Sequence, residues 1–389
     1  MTKAYLLFLS LVALQANAWQ LMNQWVLPTW SHPVIELSPM ERTRPIVMGD
    51  IIFYANLSGD VGSLNRKSGF HYWLQTGLSS KGIEGALSYG RSRVYVGDLD
   101  GNLMALESRN GAVDPKWKVK IAAEWLSPPA VFRDRVYAMS SSEELYAYSE
   151  ADGKEIWHYS DRGDEKMTVR GTAGPVVFGD AVFQGFANGY FVALQSDSGS
   201  VLWKKQLRVR SRFYDVDMVP HVDMQGVVVA TYDGRLYHLD RATGDIKWVF
   251  PAGSYGSFLV EQDRIYFSAL NGSLYCLNRA NGSVVWKLAY ERGIGLTPVR
   301  VGDYVVFPTS EDPFYVVDSK NGEVLNTTYV GAGTLAGAVG SSDGWFYLMS
   351  RRGVLHSYEI LPTRNVKKLP VTIPLMSAVE GLLVRKRQN

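Results

Sequence analysis

The histidines and the cysteine carry the most versatile chemistry in this chain, and their spacing favours structural roles. The six histidines are widely scattered: His32, His71, His158, His221, His238 and His356. Metal-binding histidines usually lie a few residues from one another or from cysteines, so the sequence predicts no metal site. The single Cys276 lies in an apolar run and is predicted to be buried, with a reactive thiol as the alternative.

Two glycine-rich segments resemble catalytic or cofactor motifs only superficially. Residues 340–344 read Gly-Ser-Ser-Asp-Gly, which fits the pattern of a nucleophile elbow. That motif requires a strand-to-helix turn, whereas this segment is expected in a loop that enters the last unit of a repeat. Residues 331–337 resemble a dinucleotide-binding loop but contain one residue too many, and no helix pattern follows. The protein is therefore predicted not to be an enzyme and to bind no cofactor.

A short pattern recurs along the chain about every forty residues. In one copy, a strand-like run at 263–267 and a second run at 271–278, which starts with Asn-Gly, are followed by a turn and then Trp286. The glycine of that turn recurs at intervals of 38 to 46 residues: Gly69, Gly111, Gly153, Gly199, Gly244, Gly282 and Gly322. Repeats of this length, made of short alternating strands and tight turns, predict a β-propeller.

Each predicted unit is a small antiparallel sheet that cannot cover its own faces. Residues 135–139 alternate apolar and smaller or polar side chains, as a strand packed on one face does. Pairs such as Asp100-Gly101 supply the positive φ of a two-residue hairpin. Six units carry a tryptophan soon after the turn glycine, from Trp73 to Trp286. The large indole ring of each of these tryptophans is predicted to wedge between neighbouring sheets.

The units add up to eight, and the two ends of the chain are expected to meet in the last one. Seven units contain the turn glycines, and the seventh has Asn326 in place of the tryptophan. An eighth begins at Gly344 but has no outer strand after it. Residues 24–27 can supply that strand and thereby pair the chain ends. The sequence therefore predicts an all-β, eight-bladed β-propeller of four-stranded antiparallel blades, with the last blade closed by the N-terminal strand.

The first 18 residues and the last 29 are expected to lie outside the propeller. Lys3, an apolar run and the small residues at 16–18 form a signal-peptide pattern, with an uncleaved anchor as the alternative. The C-terminal extension is basic and is expected to be disordered or to form a short amphipathic helix. A net charge of +2 without large blocks argues against a nucleic-acid partner. The predicted domains are a signal peptide at 1–18, the propeller at 19–360 and the extension at 361–389.

Two connections between repeats are longer than the others. The spacings of 46 and 45 residues place extra residues at 161–170 and 208–217. Both segments link one predicted blade to the next, so they are expected close together on one face, where such folds carry binding sites. Alternatively, Arg170 and the carboxylates of the second segment pair with one another across the loops. Asp215 and Asp217 could also hold a cation, although two carboxylates make a poor site.

Both long connections carry a distinctive motif. Residues 167–171 read Met-Thr-Val-Arg-Gly and lead to Gly-Pro at 174–175, whereas residues 215–217 read Asp-Val-Asp and are followed by Pro220. In both motifs the chain resembles the BamB family, the propeller subunits of the bacterial β-barrel assembly machinery, which are built of PQQ-like repeats. The corresponding stretches in that family are Leu-x-Leu-Arg-Gly before Ala-Pro, and Asp-Val-Asp ending in proline.

The resemblance implies that the two loops dock the propeller onto a periplasmic POTRA domain of BamA, the barrel-inserting subunit. It implies apolar contacts for Met167 and Val169, and charged or hydrogen-bonded contacts for Arg170, Asp215 and Asp217. The implied function is that of a non-catalytic periplasmic scaffold that aids the folding and insertion of outer-membrane β-barrel proteins. Unfolded barrel proteins are further candidate partners.

One departure from the family concerns the membrane. Its members are usually lipoproteins with a cysteine directly after the cleavage site, but Trp19 stands there in this chain. The protein is therefore predicted to be periplasmic, without a lipid anchor, and to associate with the outer membrane only through partners. Two alternatives stay open: an unrelated periplasmic recognition propeller, and a quinoprotein dehydrogenase using pyrroloquinoline quinone and calcium. Such dehydrogenases are longer chains that often contain a vicinal disulfide. A chain with a single cysteine cannot form one.

Overall fold

The structure is a computed structural model that describes residues 19–29, 41–85, 87–161, 173–207, 215–216, 218–232, 234–254, 256 and 258–362. These residues form 32 strands. Within them, no helix is long and apolar enough to cross a membrane. The predicted signal peptide and nearly all of the C-terminal extension lie outside the described residues. The chain divides into two compact units. One unit, Asn23–Glu359, contains the blades. The other consists of the two chain ends, of which only residues 19–22 and 360–362 are described.

The strands form eight four-stranded sheets, here called blades 1 to 8. The first strand, β1 (Trp19–Pro28), belongs to blade 8. Blades 1 and 2 are β2 (Ile46–Met48), β3 (Ile51–Ala55), β4 (Val61–Asn65), β5 (His71–Gln75), and β6 (Ser88–Gly90), β7 (Arg93–Gly97), β8 (Asn102–Glu107), β9 (Val113–Lys120). Blades 3 and 4 are β10 (Ala130–Phe132), β11 (Arg135–Met139), β12 (Glu144–Ser149), β13 (Glu155–Ser160), and β14 (Val176–Phe178), β15 (Ala181–Gly185), β16 (Tyr190–Gln195), β17 (Val201–Gln206).

The second half of the chain repeats the arrangement. Blades 5 and 6 are β18 (His221–Asp223), β19 (Gly226–Ala230), β20 (Leu236–Leu239), β21 (Ile246–Phe250), and β22 (Leu259–Val260), β23 (Arg264–Ala269), β24 (Ser273–Asn278), β25 (Val284–Ala289). Blade 7 is β26 (Val299–Val301), β27 (Tyr304–Phe307), β28 (Phe314–Asp318) and β29 (Val324–Thr328). Blade 8 is β30 (Thr334–Gly340), β31 (Trp345–Ser350), β32 (Val354–Pro362) and β1.

The first strand of each blade lines a central channel of about 900 Å³. These short strands are sheet edges, and a proline, which has no N–H to donate, immediately precedes five of them: Pro45, Pro129, Pro175, Pro220 and Pro298. The second and third strands of each blade are buried on both faces. For example, Val94, Tyr95 and Val96 of β7 have no exposed surface. The core is therefore a ring of apolar clusters between neighbouring blades, for example Phe53 and Trp73 against Val94.

A tryptophan on the outer strand locks each of seven blades onto the next. Trp73 of blade 1 covers Gly111 of blade 2 so closely that a Cβ there would lie 2.5 Å from the indole ring. The same indole donates its N–H to the carbonyl oxygen of Ser108 at 2.8 Å. The equivalent pairs are Trp25–Gly69, Trp117–Gly153, Trp157–Gly199, Trp203–Gly244, Trp248–Gly282 and Trp286–Gly322. The predicted wedge between sheets is confirmed, and it explains why the turn must be glycine.

The N-terminal strand closes the ring, which confirms the predicted eight-bladed architecture. Blade 8 has the strand order β1-β32-β31-β30, so the first strand of the chain is its outer strand. The backbone N–H of Thr29 donates to the carbonyl of Gly353 at 2.9 Å, and the Gln24 amide donates to the Glu359 carboxylate at 2.7 Å. Trp25 is the outer-strand tryptophan of blade 8, and it covers Gly69 of blade 1.

Candidate functional site

The two long connections occupy equivalent places in the fold. The first joins β13, which ends at Ser160, to β14, which begins at Val176. The second joins β17, which ends at Gln206, to β18, which begins at His221. Each runs from the outer strand of one blade to the channel strand of the next, so the described ends of both connections flank blade 4. Of the predicted site residues, Asp215 is described, whereas Met167, Val169, Arg170 and Asp217 lie outside the described residues.

Asp215 is fixed where the second connection crosses between blades 4 and 5. Its side chain is buried, with 1% of the residue exposed. Its backbone carbonyl accepts the N–H of Tyr232 at 3.0 Å, and the N–H of Val216 donates to the Phe186 carbonyl at 3.3 Å. Gly185 lies against Val216 so tightly that a Cβ there would be 2.2 Å from the Val216 oxygen. The inner end of this loop is therefore held by the turns of two blades.

The first connection begins at an ion pair. The Lys204 ammonium lies 2.6 Å from the Asp161 carboxylate and 3.9 Å from the centre of the Tyr190 ring. Burial alone would lower the pKa of Lys204, but the hydrogen bond and charge of Asp161 outweigh it and raise that pKa. The amide of Asn188 also donates to the Asp161 carbonyl at 2.5 Å. Blade 4 thus holds the outgoing chain through two side chains.

The first connection returns to blade 4 at Ala173 and Gly174. The fully buried Gln184 amide donates to the Ala173 carbonyl at 3.2 Å and to the Gly185 carbonyl at 2.7 Å. A Cβ at Gly174 would lie 2.4 Å from the Pro128 carbonyl oxygen, so this close approach requires glycine. Gly174 and Pro175 of the matched motif therefore have structural roles, since a proline before the channel strand recurs in other blades.

The two connections meet at one small crevice between blades 3 and 4. Ala173 from the first connection and Val216 from the second both line it. Glu143, from the β11–β12 turn of blade 3, forms part of its wall, and its carboxylate accepts the Ala187 N–H of blade 4 at 3.0 Å. Glu143 was not among the residues predicted from the sequence. The signal was available, because the corresponding turn residue in neighbouring repeats, Gly101 or Gly189, is glycine.

Cys276, His238 and His71 are engaged in contacts within the blades. Cys276 is fully buried, as predicted, and burial raises the pKa of its thiol to about 12. His238 contacts Trp248 edge to face inside blade 5, and His71 shares a 2.7 Å hydrogen bond with the Tyr54 hydroxyl. Among the residues described, no three His, Cys, Asp or Glu side chains group together as metal ligands would. His32 lies outside that part of the chain.

The placement expected for residues 340–344 was wrong. They do not form a loop that enters blade 8 but the hairpin turn between β30 and β31 inside it. The expectation failed because β30 begins earlier, at Thr334, than the repeat pattern indicated. Asp343 in this turn binds Arg66 of blade 1, with a nitrogen to oxygen distance of 2.5 Å. The segment therefore ties the last blade to the first.

Comparisons with known proteins agree on one family. Residues 57–288 match the family model described as outer membrane protein assembly factor BamB. The protein of that name from Yersinia pestis is 28% identical over 334 residues, which cover 81% of this chain and 84% of the relative. The one from Legionella pneumophila is 27% identical over 325 residues, with coverage of 82% and 83%.

Solved structures add support for the fold alone. BamB from Moraxella catarrhalis superposes with a TM-score of 0.73 at 21% identity, over 87% of this chain and all of the other. A europium-containing methanol dehydrogenase superposes about as well, with a TM-score of 0.72 at 14% identity, over 87% of this chain and 93% of the other. The backbone therefore does not separate the two classes, whereas the family match, over more than half of the chain, does. The chain belongs to the BamB family of outer membrane protein assembly factors.

Proposed function

We propose that this protein is a non-catalytic scaffold of the β-barrel assembly machinery that aids the folding and insertion of outer-membrane β-barrel proteins. It docks to POTRA domains of the barrel insertase through the face that carries the two long connections. Family membership supports the process, because the relatives of matching length are named as assembly factors. The observation that carries the docking site is the meeting of Ala173 and Val216, the inner ends of both connections, at one crevice.

The proposed roles of the site residues follow from where their connections are anchored. Met167 and Val169 supply apolar contact, and Arg170 supplies directed hydrogen bonds, since arginine is frequent at interface hot spots. Asp215 is too buried to reach far into solvent, so its role is to hold a neighbouring group of the docking face in position. Asp217 meets basic groups of the partner or orients Arg170.

The rigid attachment of the blades to one another suits a docking role. Loops position binding residues well when the elements that carry them do not move. Here Trp157 and Trp203 lock blade 4 and blade 5 to their predecessors, with indole N–H bonds of 2.9 and 3.0 Å to the carbonyls of Ser196 and Arg241. The two connections therefore start and end on fixed supports, which suits loops that bind a partner.

The proposed location is the periplasmic face of the outer membrane. The signal-peptide pattern at 1–18 directs export, and Trp19 in place of a cysteine leaves no site for acylation at that position. Attachment to the membrane is then indirect and depends on the insertase. Unfolded barrel proteins are further candidate partners.

The proposal is tested by isolating the complex from native membranes. A tagged copy of the full chain should co-purify with the barrel insertase from gently solubilised outer membranes. The same copy carrying Arg170→Ala and Asp217→Ala should be exported at the same level but recover much less of the insertase. Equal recovery by both copies would place the docking surface elsewhere, and absence of the insertase from the wild-type preparation would overturn the proposed function itself.

A quinoprotein dehydrogenase is the second candidate, because the dehydrogenase fold superposes on most of this chain. The family match argues against it, and so does the position of the one cysteine. Cys276 is buried in β24 and cannot form a vicinal disulfide.

A further inference from the structure

One arginine of the central channel has no acidic partner among the described residues. Arg44 lies two residues before the start of β2, at the end of the channel where the connections between blades enter, and it lines the channel wall. Its guanidinium donates a hydrogen bond to the carbonyl of Ala338 in blade 8 at 2.9 Å. Burial lowers the pKa of Arg44, and no neighbouring carboxylate opposes this shift. The channel therefore contains a positive charge whose counter-charge the described part of the chain does not supply.

Arginines that hold the blades together have such a counter-charge. The buried Arg279 lies 2.6 Å from the Asp223 carboxylate, measured from nitrogen to oxygen. Arg300, which also lines the channel, lies 3.4 Å from the Glu261 carboxylate. Removing a charge from water is costly when no opposite charge replaces the lost hydration. A bound anion would remove this cost at Arg44, so the residue is a candidate anion receptor.

The strand that Arg44 contacts is irregular, and a second polar group lies on its other side. β30 has seven residues, whereas the channel strands of the other blades have two or three. Its pairing register shifts between Thr334 and Ala338, and Gly337 in this bulge has φ +77°. Thr297 of blade 7 lines the channel, and its hydroxyl oxygen would lie 3.4 Å from a Cβ at Gly337. Bulges are frequent beside binding sites, and this one lies between two potential donors, Arg44 and Thr297.

The channel wall is mainly apolar beyond these two donors. Aliphatic side chains from several blades line it, among them Val47, Val131, Val177, Leu259 and Val299. The basic His221 also lines the channel, but its ring is bound to the Asp223 carboxylate at 3.1 Å. The volume of about 900 Å³ lies in the range of small-molecule sites, which are mostly apolar with a few polar groups that orient the ligand. The channel thus combines an apolar interior with one uncompensated positive charge near one end.

We propose that the central channel binds one single-chain amphiphile with a carboxylate head group, of the fatty-acid class. The carboxylate accepts hydrogen bonds from the Arg44 guanidinium and the Thr297 hydroxyl, and the alkyl chain lies along the aliphatic wall. A guanidinium matches the two oxygens of a carboxylate, and its single charge balances that of the head group. Burial of the alkyl chain supplies most of the affinity. This inference goes beyond the proposed docking function and does not depend on it.

Calorimetric titration of the purified full chain with dodecanoate, below the concentration at which it forms micelles, tests the site directly. One dodecanoate should bind per chain. Decanoate should bind roughly tenfold more weakly, because two fewer methylene groups leave water. Dodecyltrimethylammonium, which has the same chain and a positive head group, should bind far more weakly than dodecanoate. The inference is overturned if dodecanoate does not bind, if several molecules bind per chain, or if the cationic amphiphile binds as tightly.

Substitutions at Arg44 separate a specific site from general uptake of an amphiphile. Arg44→Gln should bind dodecanoate about tenfold more weakly or worse, and Arg44→Lys, which keeps the charge, should lose less. The melting temperature of Arg44→Gln should fall by no more than about 3 °C, since it removes an uncompensated charge. Arg42→Gln is the matched control, because Arg42 pairs with Glu84 at 3.1 Å, and it should bind within about twofold of the wild type. Wild-type affinity in Arg44→Gln, an equal loss in Arg42→Gln, or loss of binding only through unfolding of both Arg44 variants would overturn the inference.

Discussion

Trp25, near the start of the chain, packs on Gly69 of blade 1 just as each later tryptophan packs on the turn glycine of the following blade. A Cβ at Gly69 would lie 3.0 Å from the Trp25 ring, and the indole N–H donates to the Arg66 carbonyl at 3.0 Å. The N-terminal strand thereby both completes blade 8 and locks it onto blade 1. Ring closure depends on this one strand, because β1 pairs with β32 without a covalent link to it, while the chain continues from β1 into blade 1.

Removing the closing tryptophan should therefore destabilise the whole propeller. Trp25→Ala is expected to lower the free energy of unfolding by about 3 kcal/mol, since it removes both the ring contact and the indole hydrogen bond. Val26→Ala, on the same strand but 49% exposed, should change it by less than about 0.5 kcal/mol. Denaturant unfolding of both variants checks this, and similar small effects would mean that the N-terminal strand is not needed for closure.

Replacing a turn glycine by alanine should reduce stability by an amount that depends on which atoms the added Cβ meets. Gly111 and Gly179 both have positive φ, at +72° and +63°. A Cβ at Gly111 meets the Trp73 ring, whereas nothing lies within 4 Å of a Cβ at Gly179. Gly179→Ala should cost about 1 kcal/mol of stability from backbone strain, and Gly111→Ala about 1–3 kcal/mol more. Equal losses in thermal unfolding would show that the tryptophan contact contributes little.

The ion pair between blades 8 and 1 should make stability fall in acid. The Arg66 hydrogen bond lowers the pKa of Asp343 to about 2, from the usual value of 3.8. A carboxyl with a depressed pKa stabilises the folded state above the unfolded value and loses this contribution as the pH falls through the folded one. Wild type should therefore exceed Asp343→Asn by about 1 kcal/mol at pH 6, given solvent screening.

The difference between wild type and Asp343→Asn should shrink between about pH 4 and pH 2. Asp180→Asn is the control, because its pair with Arg133 is exposed on both sides and should contribute little at any pH. Unfolding curves measured at several pH values decide the matter. A difference that stays constant down to pH 2 would rule out this pair as a source of acid sensitivity.

Catalysis by a bound quinone should be absent. The purified full chain, incubated with pyrroloquinoline quinone, calcium and an artificial electron acceptor, is expected to oxidise no alcohol or sugar in a broad panel. A quinoprotein dehydrogenase assayed in parallel supplies the positive control. Quinone-dependent turnover would revive the second candidate function.

The propeller could be predicted from the sequence because the same physical constraint acts in nearly every repeat. Where an indole covers a turn, only glycine fits, so the pair leaves a periodic trace such as Trp203 and Gly244. The eighth unit, which begins at Gly344 and has no outer strand after it, and the strand-like residues at 24–27 were sufficient to predict closure. The start of β30 was missed because a strand of this length at a channel edge has no counterpart in the repeat.

The docking face was harder to predict from the sequence, because the burial of a loop residue and its contacts with other blades do not recur with the repeat. The role of Asp215 in partner binding stays a prediction, but the sequence did not indicate that its position between Phe186 and Tyr232 buries it. The role of Glu143 depends on Ala187, which lies 44 residues away in the next blade. Sequence order alone could not bring these two residues together.

Direct binding measurements test the docking site most sharply. The full chain, Arg170→Ala and Asp217→Ala are titrated with the soluble POTRA fragment, and Arg133→Ala, on the opposite face, is the control. Both site variants should lose affinity about thirtyfold or more while the melting temperature stays nearly unchanged, and the control should bind normally. If both variants bind as tightly as the wild type, or lose binding only because they unfold, the two long connections are not the docking site.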